Sequence, residues 1–468
     1  MSEPPPTPAI DALRATVTGP VLTPSDPGYA DEVAGFNLAQ THTPQVVVGA
    51  ADADDVAAVV GIAAANGLPV HLVGSGHGDI PAITAGLMLT VHRLNAVHVD
   101  PVARVAVVGV GATWHDVLAL TTPHGLAGLC GSAPGVAVGG FLLGGGLGPI
   151  GRTFGMSSDH VRSFELVGAD GERRTVAADR DPDLFWALKG GKGGFGVLTA
   201  ATIDLLDLPT IYGGGEYHAA ADIPALLRAF QAFTSAKVPE ALTTSLALMR
   251  LPAIPALPEP LRGATVAHLR AGYVGTSTDE AERLLAPLRA AAGPPVFGGF
   301  GVLPYAEIGT IHNDTTTASG HATAGILLDR FTPDTVEALL GVAGPDVAAP
   351  LAIVEVRHLG GAFARAGEPP DAVTGRDAPF AVWISSSPQP APVAAETLAA
   401  GARAVRGVID ALAPWSSGRT QINFCGSVNT AAEAAAAWRP QIAERLAEIR
   451  RRCDPDGLFP YLPGAVRS

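Results

Sequence analysis

Three glycine-dense stretches constrain this chain more than any other feature. HLVGSGHGD covers His71 to Asp79. GLAGLCGSAPGVAVGGFLLGGGLGPIGRTFGMSSDHV runs from Gly125 to Val161, and LKGGKGGFGVLT from Leu188 to Thr199. Sequence this rich in glycine does not extend a helix or a strand. It makes turns in which backbone comes close to something else. The short apolar run Val70 to Val73 reads as a buried strand,. The Gly-Ser-Gly-His-Gly that follows therefore presents His77 on a loop rather than hiding it in a core. Free amides and positions without Cβ suit a long polyanionic ligand laid along the backbone. Three such tracts, one with a presented histidine, point to a dinucleotide cradle.

The two commonest phosphate-binding motifs do not account for these tracts. VVGVGATW follows a strand and precedes a helix, but Trp114 stands where a Rossmann fingerprint has its third glycine. No acidic residue ends a strand at the right distance downstream. GGKGGFG has no Ser or Thr after its lysine, so it is not a P-loop,.

The chain has 468 residues, which predicts two or three cores,. With 47% hydrophobic and 16% charged residues it can fill them, and a disordered chain is excluded,. A net charge of −14 argues against nucleic acid or an anionic membrane as partner,. Three cysteines, Cys130, Cys425 and Cys453, have neither a disulfide pattern nor metal-ligand spacing, so no metal is expected,. The opening MSEPPPTPAI lacks a basic stretch, an apolar stretch and a twin arginine,. No apolar run reaches membrane-spanning length,. A soluble, cytoplasmic protein is expected, as monomer or homodimer.

PQVVVGAADADDVAAVVGIAAANGLPVHLVG reads strand, helix, strand. Asp52 or Asp54 caps the helix, Val56, Val59, Val60 and Ala63 form its inner face, and Asn66-Gly67 ends it. LMLTV, AVHVD and VARVAVVG are short strands, TWHDVLALT a helix, VRSFELVGADGERRTVAA a hairpin, DPDLFWALKGG a capped helix and FGVLTAATIDLL a strand,. After about residue 207 helices such as IPALLRAFQAF and STDEAERLLAPLRAA alternate with strands such as HLRAGYVG and LAIVEVRHL. This predicts a second unit, a sheet with helices on one side. The tail WRPQIAERLAEIRRRCDPDGLFP reads as a helix closed by a turn.

GSGHGD, the long glycine tract, DLFWALKGGKGGFGVLT and the tail QINF…RLAEIRRRCDPDGLF occur in that order. Together they resemble the FAD-linked oxidases of the berberine-bridge-enzyme-like family, whose flavin domain is of the vanillyl-alcohol-oxidase type. The resemblance covers nearly the whole chain and is weakest between about residues 210 and 415. It implies an α+β fold, with a two-part FAD-binding domain and an inserted substrate domain on an antiparallel sheet covered by helices. Residues 1–206 would form the FAD domain (core about 41–206), 207–417 the substrate domain, and 418–468 the segment completing the FAD domain. The family histidine of this loop bonds covalently to the flavin, and His77 matches it. The cofactor-contacting positions implied are Gly74, Ser75, Gly76, Gly78 and Asp79; Ser132, Ala133, Val136, Val138, Gly139, Gly140, Gly144, Gly145, Gly146 and Gly148; Lys192, Gly196 and Val197; and Asn423 and Phe424.

The chain departs from the family at four places. Ala133 stands where many relatives have a cysteine that links the flavin a second time, so a single attachment is expected. Val73 replaces a usual arginine. Lys192 is added to the GGKGGFG loop, where it can meet the FAD diphosphate or be merely solvated,. Gln421 replaces a tyrosine that acts as base in some relatives, and it cannot take a proton. Asn423 keeps a hydrogen bond to the flavin's pyrimidine edge.

The remaining source of a base is the strand LAIVEVRHLGGAFAR, which in relatives lies over the flavin. Alternation puts Ile353, Glu355 and Arg357 on one face and Val354, Val356 and His358 on the other,. A carboxylate in an apolar strand has a purpose. Glu355 is the first candidate for proton acceptor, with a pKa raised by burial; a structural ion pair with an arginine is the competing assignment. Tyr305 and His358 follow. The resemblance implies an oxidase that passes electrons from a small organic substrate, of natural-product or polyketide type, to O2, with cyclisation or rearrangement as a further outcome. A carbohydrate oxidase, a flavin-bearing cyclase without net redox change and a nicotinamide dehydrogenase are the alternatives.

Overall fold

The computed structural model describes residues 7–78, 80–426 and 437–460. Its first layer is a four-stranded sheet in which Val46–Gly49, Leu87–Thr90 and Val70–Val73 run parallel, and Val21–Leu22 adds an antiparallel edge. The helix Ala53–Ala65 connects two of these strands. Asp52, not Asp54, caps it by accepting from the amides of Asp54 and Asp55,. Val56, Val59, Val60 and Ala63 are buried, as their spacing predicts.

A five-stranded antiparallel sheet follows, ordered Val97–Asp100, Val105–Gly109, Val197–Asp204, Val161–Val167 and Arg173–Ala177. The two sheets share one core, to which Trp114, Phe164, Phe185 and Phe195 contribute. The long glycine tract lies along it as loops and two short helices, Val138–Leu142 and Gly151–Phe154.

From Thr210 onward the chain builds a seven-stranded sheet, antiparallel throughout. Its order is Phe297–Pro304, Thr210–Ala219, Thr265–Tyr273, Leu242–Arg250, Leu351–His358, Phe380–Ser386, Thr323–Leu328. The helices Ile223–Ser235, Thr278–Arg289, Pro333–Ala343 and Ala395–Leu412 cover one face and bury a second core against it. Val354 and Val356 belong to that core. The opposite face meets the glycine tract: the Arg152 amide donates to Thr243 Oγ1 at 3.2 Å.

The final helix, Pro440–Cys453, returns to the first unit and packs on Pro182–Leu188. Trp438 Nε1 donates to the Gly190 carbonyl at 3.1 Å, and Arg450 Nε donates to that of Gly193 at 3.0 Å. The Val70 amide donates to the Leu458 carbonyl at 2.8 Å. The architecture is the α+β, two-domain arrangement that the motifs imply. No described helix is long and apolar enough to cross a membrane, and no described cluster of His, Cys, Asp and Glu could hold a metal ion.

Candidate active site

The strand Val70–Val73 ends in the loop that carries His77. Gly76 takes a left-handed conformation, φ +66°, with its Cα against Gly35, and this pins the turn,. The imidazole stacks on Phe36 at 4.0 Å, and its Nδ1 lies 2.8 Å from Ser75 Oγ. Ser75 Oγ also accepts from the Ala137 amide at 3.2 Å, which ties this loop to the long glycine tract. Burial, aided by His321 nearby, lowers the His77 pKa to about 4,. The ring is therefore neutral at pH 7, and one of its nitrogens keeps a lone pair. Asp79, assigned to the cofactor from sequence, lies outside the described residues.

The glycines of the cradle divide into two groups. A Cβ on Gly140 would meet nothing within 4 Å, and on Gly74 and Gly78 only Ala137 and Ile80 at 3.6 and 3.9 Å. These positions leave room for a ligand. On Gly139, Gly144, Gly145, Gly146 and Gly148 a Cβ would run into Val110, Asn423, Val373, Phe141 and the Cys130 carbonyl. Gly196, at φ +136°, closes on the Val167 carbonyl in the same way. This second group has a sufficient explanation in loop packing. Val136 and Val138 spend their amides on the carbonyls of Ala133 and Ala112, and Val197 pairs with Val167 at the start of its strand.

The tail motif seats on these loops. Gln421 Nε2 donates to the Gly144 carbonyl at 2.6 Å, and its Oε1 accepts from the Asn423 amide at 2.6 Å. Asn423 Nδ2 donates to the Phe141 carbonyl, and its Oδ1 accepts from Lys192 Nζ at 2.5 Å. Lys192 also donates to the Gly140 carbonyl at 2.8 Å, from a left-handed backbone at φ +66°. Burial lowers its pKa to about 8. Lys189 is buried elsewhere, with Nζ 3.3 Å from the Pro369 carbonyl. At the position of the second flavin link Ala133 offers only a methyl. Cys130, three residues earlier, is buried and its thiol is pushed up to about 12,.

Above these loops a narrow cavity, with room for about one water, opens between Leu147–Pro149 and the face of the large sheet that meets the glycine tract,. Glu355 lies behind its wall with both oxygens engaged. Oε1 accepts from Ser245 Oγ at 2.7 Å, Arg270 Nη1 at 2.8 Å and His312 Nε2 at 3.2 Å. Oε2 accepts from Arg357 Nε at 2.9 Å and Nη2 at 2.8 Å. Burial alone would raise its pKa, but Arg357, Arg270 and His312 outweigh it and hold the carboxyl well below the usual range,. The expectation of a raised pKa is thus reversed. A carboxylate with two guanidiniums on it does not take up a proton near neutral pH, so the ion-pair assignment holds.

Tyr305 is also placed differently from expectation. It is 1% exposed in the first core, away from the cavity wall, and donates to the Gly128 carbonyl at 3.0 Å. Burial, with Cys130 beside it, raises its pKa well above the phenol range. His358 does line the cavity. Burial and the adjacent Arg152 lower it to about 3, so it stays neutral. Arg357 reaches across the cavity, with Nη2 3.4 Å from Ser132 Oγ and the guanidinium over the Phe424 ring at 5.0 Å.

Sequence reasoning missed Arg270, His312 and Thr244. Arg270 lies in HLRAGYVG, an apolar strand with a charge inside it. That is the signal that singled out Glu355, and it applies equally here. His312 sits in a polar loop, and no local pattern marks it.

Residues 44–177 match the family model described as an FAD binding domain. The chain carries an FAD binding domain. Among curated relatives, this chain is 38% identical over 178 residues to an FAD-dependent monooxygenase of Fusarium proliferatum, covering 37% of the chain and 34% of the relative. It is 31% identical over 201 residues to (R)-6-hydroxynicotine oxidase of Paenarthrobacter nicotinovorans, covering 42% and 44%. The match thus spans less than half the length of either relative. Among solved structures, the 6-hydroxy-D-nicotine oxidase of Arthrobacter nicotinovorans superposes with a TM-score of 0.79 at 24% identity, covering 95% of this chain and 96% of that one. The xylooligosaccharide oxidase of Myceliophthora thermophila superposes at 0.82 and 20%, covering 98% and 99%. These likenesses are of fold. Open positions at Gly74, Gly78 and Gly140 beside a neutral His77 fit FAD.

Proposed function

We propose that this protein is an FAD-dependent oxidoreductase, an oxidase of a small organic substrate, with O2 as electron acceptor and a flavin held by one covalent bond to His77. The observation that carries this is that three parts meet on the long glycine tract: the loop of the neutral His77 through Ser75 and Ala137, the tail motif through Gln421 and Gly144, and the large sheet through Arg357 and Ser132. The division into residues 1–206 with 418–468 and 207–417 belongs to the same proposal. The contacts of residues 437–460 with the first unit support it.

When bound, FAD supplies a two-electron acceptor for a hydride. The protein's residues supply position and charge. His77 gives an electron pair for attachment from a loop that Ser75 and Phe36 hold in place. Asn423 and Lys192 offer hydrogen bonds and a cation beside the open Gly140. Glu355 fixes two guanidiniums at the substrate cavity instead of moving a proton. The departures at Val73, Ala133 and Gln421 favour a tailoring enzyme over a sugar oxidase.

The test is direct. Purified protein is expected to be yellow, to bleach anaerobically with substrate and to release hydrogen peroxide when air is admitted. A yellow protein that turns over substrate without bleaching is instead a flavin-bearing cyclase. A colourless protein that binds no FAD refutes the proposal.

A further inference from the structure

The cavity over the glycine loops has an imbalance of charge and of hydrogen-bond donors. Arg270 and Arg357 share the single carboxylate of Glu355. Arg152, also buried, spends its guanidinium on the carbonyls of Leu242, Val238 and Leu359 and lies 3.4 Å from His358 Nε2. It has no carboxylate within ion-pair distance among the described residues. Glu240, the nearest acid acting on it, is bound to Arg365. Arg270 and Arg357 line the cavity and Arg152 sits behind His358, so three guanidiniums in this region share one carboxylate. Burial and the arginines keep His312 and His358 neutral, so they do not change the count.

The tautomers follow from the partners. Arginine only donates, so His358 Nε2 accepts from Arg152 and Nδ1 carries the proton,. Glu355 only accepts, so His312 Nε2 donates to it and Nδ1 is a bare acceptor,. Both Nδ1 atoms are buried without a partner, as is Thr244 Oγ1. His312, His358 and Thr244 are 4%, 8% and 2% exposed, and all three line the cavity. Arg357 Nη1, the one guanidinium nitrogen of that residue facing neither Glu355 nor Ser132, has no hydrogen-bond partner among the described residues. The orphaned buried donors of Thr244 and His358 beside an uncompensated positive charge carry a free-energy penalty that an anionic oxygen group relieves, whereas the bare Nδ1 of His312 takes no part in that contact,.

We infer that the substrate binds as an oxyanion, carboxylate or ionised phenol or enol, with Arg357 as its principal partner and Thr244 and His358 completing the contact. This rests on the reading that the cavity holds the substrate beside the flavin, and it names the substrate's class. Glu355 is then a positioning residue: it aims the two guanidiniums and limits the charge that the ligand must balance.

The test uses FAD-loaded protein and three aromatic probes: benzoate, 4-nitrophenol and neutral benzyl alcohol. Binding is read by calorimetry and by the flavin difference spectrum. At least one anionic probe is expected to bind about 10- to 100-fold more tightly than benzyl alcohol, the range for a charge-assisted hydrogen bond. Benzoate alone identifies a carboxylate. Bound 4-nitrophenol showing its ionised absorption band at a pH where the free probe is protonated identifies a phenolate or enolate. Arg357→Gln is expected to erase the preference, and Arg357→Lys to restore part of it. Yellow protein that binds benzyl alcohol as tightly as both anions, or binds no anion at millimolar concentration, overturns the inference. So does an Arg357→Gln protein that retains its flavin and the full preference. Protein without flavin instead refutes the oxidase reading, and the calorimetric comparison on the wild type needs no variant to fold.

Discussion

Glu355→Gln removes one negative charge and leaves Arg270 and Arg357 facing each other across a buried amide. The wild-type carboxylate accepts from Ser245, Arg270, His312 and both near nitrogens of Arg357, at 2.7 to 3.2 Å. Glutamine keeps the shape but turns one acceptor into a donor against guanidinium donors. Breaking a buried pair from one side costs about 3–5 kcal/mol, because the partner charge is left uncompensated. At about 2–4 °C per kcal/mol for a unit of 150–250 residues, the thermal transition of the sheet-bearing domain should fall by roughly 6–20 °C. The dependence on pH has a definite sign. The folded carboxyl titrates well below its usual range, so its contribution is complete above the unfolded value near 4.5 and is lost as pH falls toward the folded one,. The gap between wild type and variant should therefore be full at pH 7 and narrow progressively below about pH 4.5. Differential scanning calorimetry of both proteins at pH 7 and pH 4 measures it. A variant within about 0.5 kcal/mol of wild type at pH 7, the spread of ordinary surface substitutions, would show that the network is not what holds the two arginines.

Two further outcomes are expected. Wild-type protein precipitated in acid keeps its yellow colour, whereas His77→Ala releases FAD to the supernatant; with the imidazole titrating at about 4, attachment to apoprotein proceeds at constant extent from pH 6 to 8 and fails as pH drops through that value. Lys192→Met removes a titration near pH 8 from the flavin absorption spectrum, since the ammonium that loses its proton there lies on Asn423 and beside Gly140.

How much of this was legible depended on whether a feature was local. The His77 loop, the capped helix after Asp52 and the alternation that puts Glu355 and Arg357 on one face are properties of a few consecutive residues. Each is found where the sequence put it. The chemistry of Glu355 is not local. Burial alone suggested the opposite direction; the pKa is lowered by Arg357 on the same strand together with Arg270 and His312, brought in by a strand two places away in the sheet and by a distant loop. Tyr305 failed as a candidate for a related reason. Six tyrosines among 468 residues make each conspicuous, but scarcity says nothing about which side of the sheet a phenol enters. The glycines were read as one ligand-facing set, although Gly144 and Gly148 are needed where a side chain and a carbonyl cross them.

The hydrogen bond from the Val70 amide to the Leu458 carbonyl bears on the order in which this protein matures. The strand that delivers His77 is made on the ribosome long before its partner. Pro182–Leu188 likewise waits for the helix Pro440–Cys453. The sheet between them draws only on strands from Thr210 to Ser386 and can condense before the tail is made,. The nucleotide cradle cannot, because its closing contacts join residues as far apart as Val70 and Leu458 and loop closure must precede them,. Flavin capture thus waits for the segment around Leu458, and a stalled or clipped product lacking that segment would emerge with one domain shaped and the other unable to hold its dye.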